Sequence, residues 1–182
     1  RTGVCMHVPC RVRHLGVVLA VLLPVASAPA QPVHLQIEGG RSYMDHHGAA
    51  TLFGEAVFGA HRIGDSRWTW APDVSLGWID GRAPARRDDS RYSARHDVWL
   101  LAAGARFQRG NAADDGRGWF VSFQPAATHG RTRALSSPYE FVSSLGWQGR
   151  RFSLQIRHIS NGGLHEPNRG ETMGLVGVGF DL

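Results

Sequence analysis

The segment FSLQIRHIS, residues 152–160, alternates between apolar and polar side chains over most of its length. Its even-numbered positions begin with three large apolar residues and end with His158 and Ser160, while polar residues occupy most positions between them. Because successive residues of a β-strand point to opposite faces, this spacing predicts a strand with one apolar face and one polar face. His158 and Ser160 are therefore expected on the apolar face.

Alternation of this kind recurs in segments of roughly ten residues, separated by clusters of Gly, Asp, Asn, Ser and Pro. After residue 30 the longest apolar run, Val98 to Ala105, is too short for a membrane-spanning helix. The sequence therefore predicts eight strands. They span residues 33–43, 49–60, 67–79, 96–108, 118–128, 139–148, 151–160 and 171–182.

The apolar faces of these strands carry aromatic residues near the strand ends, as at Trp68, Trp78 and Trp147. An even number of such strands closes into a membrane barrel with its apolar face outside, or into a soluble barrel that binds a hydrophobic ligand inside. The aromatic positions match interfacial girdles, and the ending at residues 177–182 is similar to the assembly signal of bacterial outer-membrane proteins. These features favour an all-β fold, an eight-stranded antiparallel transmembrane β-barrel of the bacterial outer membrane.

The first part of the 182-residue chain has a different composition. Basic residues precede an apolar run over residues 15–25, and small residues follow at 26–30. This order is typical of a secretory signal, and we expect cleavage after Ala30. The chain then divides into a signal peptide, residues 1–30, and an outer-membrane barrel domain, residues 31–182.

All 20 basic residues are arginines, and residues 31–182 hold 17 of them against 15 carboxylates. This near-balance argues against a nucleic-acid partner, whose footprint is a domain-wide basic excess. Arginines concentrate in two expected external connections, where guanidinium groups could bind phosphate-bearing headgroups, although charged loops are often only solvated. The arginines concerned are Arg82, Arg86, Arg87, Arg91, Arg131 and Arg133.

The residues at the end of the seventh predicted strand are the best candidates for a catalytic site. A serine becomes a strong nucleophile when a neighbouring base takes its proton, and His158 stands two residues from Ser160 on the same face. Asn161 and Gly163 follow directly, and an amide side chain and a glycine N–H are the kinds of donor that stabilise an oxyanion.

The run from His158 to Glu171 resembles the signature of the PagL-type lipid A 3-O-deacylases, His-x-Ser-Asn-(small)-Gly-(apolar)-x-x-Pro-Asn-x-Gly followed by Glu. This resemblance implies hydrolysis of the 3-position acyl ester of lipid A in lipopolysaccharide, at the cell outer membrane. It implies Ser160 as nucleophile, His158 as general base and then acid, and Asn161 with the Gly163 N–H as oxyanion contacts. The implied partners are lipid A and outer-membrane lipid, and no metal or organic cofactor is implied.

The acidic partner of the histidine is where the sequence departs from that signature. In the family one more residue separates the glycine from its glutamate, so that Thr172 stands at the carboxylate position. Strand parity also turns Glu171 inward. A bulge near Gly170 would turn it outward, because bulges re-aim side chains at barrel rims. We predict Glu171 as the residue that orients His158, with Glu166 in reserve.

A second class of function stays open, a non-catalytic small outer-membrane barrel that serves adhesion or membrane integrity. The oligomeric state is also open, including a homodimer. His46 and His47 do not predict a metal site, because adjacent histidines in a loop point apart and have no spaced partners.

Overall fold

The computed structural model describes residues 32–44, 47–81, 96–109 and 117–182. The expected signal peptide lies outside the described residues. Within these ranges the chain forms nine strands: β1 (His34–Met44), β2 (His47–Val57), β3 (His61–Arg62), β4 (Trp68–Ile79), β5 (Val98–Arg109), β6 (Gly118–His129), β7 (Tyr139–Gln148), β8 (Phe152–Ser160) and β9 (Glu171–Asp181).

The eight long strands form a closed antiparallel barrel, which confirms the predicted fold. Each long strand pairs with the next long strand along the chain, which for β2 is β4, and β1 pairs with β9. The two-residue β3 pairs only with β4. Closure gives every long strand two neighbours, so that backbone N–H and C=O groups are satisfied without water. The strand limits differ from the predicted ones by a few residues. We call the end at which β8 stops at Ser160 the outer end.

The alternation of the sequence becomes the two faces of the barrel wall. In β8, Leu154 and Ile156 are 60% and 61% exposed, whereas Gln155 and Arg157 are 2% and 0% exposed. The apolar face therefore points outward and the polar face into the lumen. This arrangement suits a lipid surround and is the reverse of a soluble barrel, so the soluble alternative is wrong.

Charged side chains fill the middle of the lumen. Arg157 Nη2 lies 2.9 Å from Glu55 Oε2 and 3.3 Å from Glu38 Oε2. Arg106 Nη2 lies 2.9 Å from Glu55 Oε1, and its Nε lies 3.4 Å from Asp73 Oδ2. All five side chains are almost fully buried. Buried charges are tolerated only when they are paired and hydrogen-bonded, and here each charge has an opposite partner. The pairs lie on different strands, so the network joins strands that are far apart in the sequence.

Apolar side chains fill the outer part of the lumen. The cluster includes Phe53, Leu100, Ile159 and Leu175, each essentially inaccessible to solvent. Leu135 joins it although it belongs to the connection between β6 and β7 rather than to a strand. This connection is therefore anchored in the barrel through a buried side chain, which fixes its position at the outer rim.

Candidate active site

The predicted serine and histidine lie side by side on the outward face of β8. His158 is exposed and Ser160 is half-buried, in agreement with the parity of the strand. β8 ends at Ser160, so both residues lie near the outer rim of the barrel wall. An ester held among lipid acyl chains can therefore approach them from the side, without entering the lumen.

The hydrogen-bond partner of His158 is a threonine. His158 pairs with Thr172 in the ladder between β8 and β9, and His158 Nδ1 lies 2.9 Å from Thr172 Oγ1. A threonine hydroxyl can accept the Nδ1 proton and so fix the tautomer of the ring. Unlike a carboxylate, it carries no charge to stabilise the imidazolium that forms when the ring takes up a proton.

The structure corrects the prediction that Glu171 orients His158. Glu171 pairs with Ile159 and is 1% exposed, so its side chain belongs to the inward face. The ladder runs without interruption from the pair Phe152 and Val178 to this last pair, and the expected bulge is absent from it. An unbroken ladder fixes the parity of every side chain, which leaves Thr172 rather than Glu171 beside the histidine. Glu166, the reserve, lies exposed in the loop and accepts a hydrogen bond from the Asn168 backbone N–H.

Gly170 sets the position of the imidazole ring. Its φ of 69° favours glycine, and a Cβ on this residue would lie 2.8 Å from His158 Cε1 and 3.2 Å from Nε2. Gly170 directly precedes Glu171, which forms the outermost pair of the ladder with Ile159. Nδ1 of the ring is directed at Thr172, and Nε2 lies on the side of Gly170, toward the outer end.

The loop after β8 uses the two predicted oxyanion donors for its own structure. The Gly163 N–H donates to Asn161 Oδ1 at 3.0 Å, and Asn161 Nδ2 donates to the His165 carbonyl oxygen at 2.8 Å. Asn161 is also fully buried. A backbone N–H has one proton to donate, so Gly163 is not available to an oxyanion in this arrangement, and the structure assigns Asn161 to holding the loop.

A second loop supports this one. The Gly170 N–H donates to the Ala134 carbonyl oxygen at 3.1 Å, and Ser136 Oγ lies 3.1 Å from His165 Nδ1. Leu135, between these two contacts in the chain, is buried in the barrel. The apolar core of the barrel thus positions the loop that carries Gly170, and through it the ring of His158.

Positive side chains surround the site only in part. Arg131 is exposed and Arg133 is half-buried in the connection that follows β6, at the same rim as Ser160. The predicted Arg82, Arg86, Arg87 and Arg91 lie outside the described residues.

The structure adds an arginine that the sequence analysis missed. Arg41 is exposed on the outward face of β1, where it pairs with Gly174, and its guanidinium lies close to Gly48 near the outer hairpin. The sequence could have indicated Arg41, because it is a charged residue at a position that alternation places on the outward, apolar face of its strand.

Other kinds of site find little support in the described part of the chain. It holds no group of three or more His, Cys, Asp or Glu residues placed to bind a metal ion. It also contains no helix long and apolar enough to cross a membrane. A cavity of about 390 Å³ opens at the inner end of the barrel, where it is lined by residues such as His34, Arg106 and Gln148, at the far end from Ser160.

Several known proteins resemble this chain in sequence or in fold. The model of the PagL family, described as lipid A 3-O-deacylase, matches residues 18–181. One similar solved structure is the crystal structure of the outer membrane enzyme PagL, with 16% identity, a TM-score of 0.57, and coverage of 82% of this chain and 99% of that chain. Another is Ail, the attachment invasion locus protein of Yersinia pestis, solved with the heparin analogue sucrose octasulfate, with 8% identity, a TM-score of 0.41, and coverage of 84% and 97%. No curated protein matches the sequence.

Proposed function

The chain belongs to the PagL lipid A 3-O-deacylase family and is thus an ester hydrolase of the outer membrane, and we propose that Ser160, His158 and Thr172 carry out its reaction. The observation that carries this assignment is the hydrogen bond from the outward-facing His158 to Thr172, which holds the ring on the same face as Ser160. Lipid A is the substrate that the family implies, and its 3-position acyl ester is the bond that we assign to this site.

The reaction starts from the tautomer with its proton on Nδ1. The Nδ1–H group donates a hydrogen bond to Thr172 Oγ1 and keeps its proton, while the lone pair on Nε2 takes the proton of the Ser160 hydroxyl. Ser160 Oγ then attacks the ester carbonyl carbon, and the protonated Nε2 donates to the departing 3-hydroxyl of the sugar as the C–O bond breaks. Water enters next and gives a proton to His158 Nε2 while its oxygen attacks the carbonyl carbon of the acyl-serine. The protonated Nε2 then returns the proton to Ser160 Oγ as the bond between the serine and the acyl group breaks, which releases the fatty acid and restores the enzyme.

Ser160 Oγ and the His158 ring are not hydrogen-bonded to each other within the described residues. They lie two residues apart on one face of one strand, so that a change of side-chain rotamer can bring Ser160 Oγ to the His158 ring. Catalytic hydrogen bonds are often long in a structure without substrate and tighten when substrate binds. We therefore assign formation of this bond to the complex with lipid A.

The location of the pair suits a lipid substrate. β8 is the seventh long strand and runs toward the outer end, where the predicted external connections lie. In an outer membrane, lipopolysaccharide occupies the leaflet at that end. The acyl ester of lipid A can meet Ser160 at the barrel surface while its acyl chain stays beside apolar residues such as Ile156.

Replacement of Ser160 by alanine tests the proposal. The protein is refolded in detergent and incubated with lipid A, and the lipid is analysed by mass spectrometry for loss of the 3-position acyl chain. We expect Ser160→Ala to abolish this loss, because loss of a catalytic serine lowers kcat by up to about 10⁶-fold in a well-studied hydrolase. Ser153→Ala is the matched control, since Ser153 lies on the same strand with its side chain in the lumen.

Two results bear against the proposal. Continued release of the acyl chain by Ser160→Ala would remove the serine from the mechanism. A native protein that shows the heat-dependent gel mobility of a folded barrel but no activity would instead favour the non-catalytic barrel.

A further inference from the structure

The inner end of the barrel contains a cavity that the reaction at Ser160 does not use. It has a volume of about 390 Å³, and its lining includes Arg106 and Gln148 from the lumen. This volume lies within the range of small-molecule sites, roughly 300–1,000 Å³. Apolar side chains fill the outer part of the lumen, so the cavity is closed at its deep end. A solute that enters from the inner end can therefore bind there but cannot pass through the barrel.

The lining of the cavity has an apolar part and a polar part. Val57, the last residue of β2, and Phe58, which follows it, contribute to the apolar part. Arg106 and Gln108 on β5, and Arg117 just before β6, contribute to the polar part. An amphipathic lining of this kind suits a ligand with an apolar body and one polar group.

Arginines outnumber carboxylates among the lining residues. Three of the side chains are guanidinium groups, and one, that of Asp181, is a carboxylate. This carboxylate already has a partner, because Asp181 Oδ1 lies 2.7 Å from His34 Nδ1. Guanidinium groups bind carboxylates and phosphates through charge-assisted hydrogen bonds. The lining therefore favours an anionic group over a neutral or positive one.

Two side chains can donate hydrogen bonds to such an anion directly. Gln108 Nε2 is buried and has no hydrogen-bond partner among the described residues. A buried donor without an acceptor is unfavourable, and an anion in the cavity supplies one. Arg106 Nη1 lies 3.4 Å from Gln148 Oε1. Because this nitrogen carries two N–H groups, it can donate to Gln148 and to an anion at the same time.

We propose that this cavity binds a small anionic solute, a molecule with one carboxylate or phosphate group and an apolar body. Arg106, Gln108 and Arg117 bind the anionic group, and the apolar body packs against Val57 and Phe58. The site goes beyond the proposed function and does not depend on it, because the catalytic serine lies at the outer end of the barrel.

A titration of the refolded, isotope-labelled native protein in nonionic detergent micelles tests this inference. The probes are benzoate and phenyl phosphate, and benzyl alcohol is their uncharged counterpart of similar size. NMR signals of the lining residues are followed, including the Gln108 side-chain amide, which is identified by its absence from the Gln108→Leu spectrum. We expect saturable shifts with at least one of the anions, and none with benzyl alcohol at the same concentrations. The relative affinities of the two anions identify the group that the site prefers.

Two variants assign the binding to its residues. Gln108→Leu should weaken binding of the anion by about two- to tenfold, the effect of one hydrogen bond. Arg117→Gln should weaken it by about tenfold or more, because a hydrogen bond to a charged group is stronger. Arg109→Gln is the matched control and should keep the native affinity, since Arg109 is exposed at the same end of β5 but does not line the cavity.

Three results would overturn the inference. Benzyl alcohol that binds as tightly as the anions would show an apolar pocket without anion recognition. Shifts that do not saturate in the native protein, or native affinity in both Gln108→Leu and Arg117→Gln, would show a cavity that holds water only. None of these results touches the assignment of Ser160, because release of the acyl chain from lipid A is measured separately.

Discussion

Arg157 and His158 are neighbours in the sequence, yet they occupy opposite sides of the barrel wall. Arg157 is fully buried in the lumen, where it contacts Glu55, Glu38 and Ser144. His158 is exposed on the outside and contacts one hydroxyl, that of Thr172. The inward-facing guanidinium of Arg157 thus has several side-chain partners in the barrel, and the outward-facing imidazole of His158 has few.

This difference separates stability from reactivity within one strand. The guanidinium of Arg157 stacks over the Phe53 ring at 4.5 Å and is held by several partners, so its position is strongly constrained. Among the described residues, only Nδ1 of the His158 imidazole has a hydrogen-bond partner, so that Nε2 is left for the substrate. We therefore expect substitutions on the inward face to change the free energy of unfolding, and substitutions on the outward face to change kcat or KM.

The largest expected effect comes from Arg157→Met. The substitution leaves Glu38 and Glu55 buried with one fewer cation, and removal of one member of a buried ion pair costs about 3–5 kcal/mol. Urea unfolding in lipid vesicles measures the loss. Arg151→Met, at the exposed turn before β8, should change the free energy of unfolding little. An equal loss in the two variants would show that the luminal network does not stabilise the barrel.

Gly170→Ala is expected to lower kcat by about 10²-fold, because the new Cβ would displace the His158 ring, and misplacement by about 1 Å can cost that much. The positive φ adds a conformational cost of its own. Gly64→Ala separates the two effects, since Gly64 also has a positive φ, of 52°, but has open space around its Cβ position. Should both variants retain native kcat, the contact between Gly170 and His158 is not needed for the reaction.

Thr172→Glu should raise kcat by roughly tenfold and change KM little. A carboxylate accepts the Nδ1 proton as the threonine does, and it also stabilises the imidazolium in the transition state. The companion variant Thr172→Val has nearly the same shape but no hydroxyl, and it should lower kcat. Steady-state kinetics on lipid A distinguish these outcomes, and a valine variant with native kcat would remove Thr172 from the mechanism.

Arg131→Ala is expected to have the smallest effect, a two- to threefold rise in KM for phosphorylated lipid A at low ionic strength. An exposed arginine at the rim binds phosphate weakly, and salt screens the attraction, so the difference should vanish at about 1 M salt. Arg150→Ala, in the turn at the inner end of the barrel, should leave KM unchanged. A salt-independent rise in KM would point to a structural effect of the Arg131 substitution.

The periodicity of the sequence was enough to predict the eight long strands and which residues share a face, and the aromatic residues near the strand ends indicated that the apolar face points outward. Because alternation is visible within a single strand, the apolar residues at 152, 154 and 156 were enough to place His158 and Ser160 on the apolar face. The partner of His158 could not be settled in the same way. Glu171 and Thr172 are adjacent and face opposite sides, and the choice between them depended on whether a bulge interrupts the ladder.

The sequence by itself determined the outward position of the serine and histidine and the apolar surface around them, because alternation is a local property of a chain in extended conformation. Only the tertiary structure decided what these side chains meet. Thr172 beside His158 and Leu135 inside the barrel both follow from the register between strands and from the closure of the sheet. Register depends on pairings summed over the whole barrel, so no single segment specifies it.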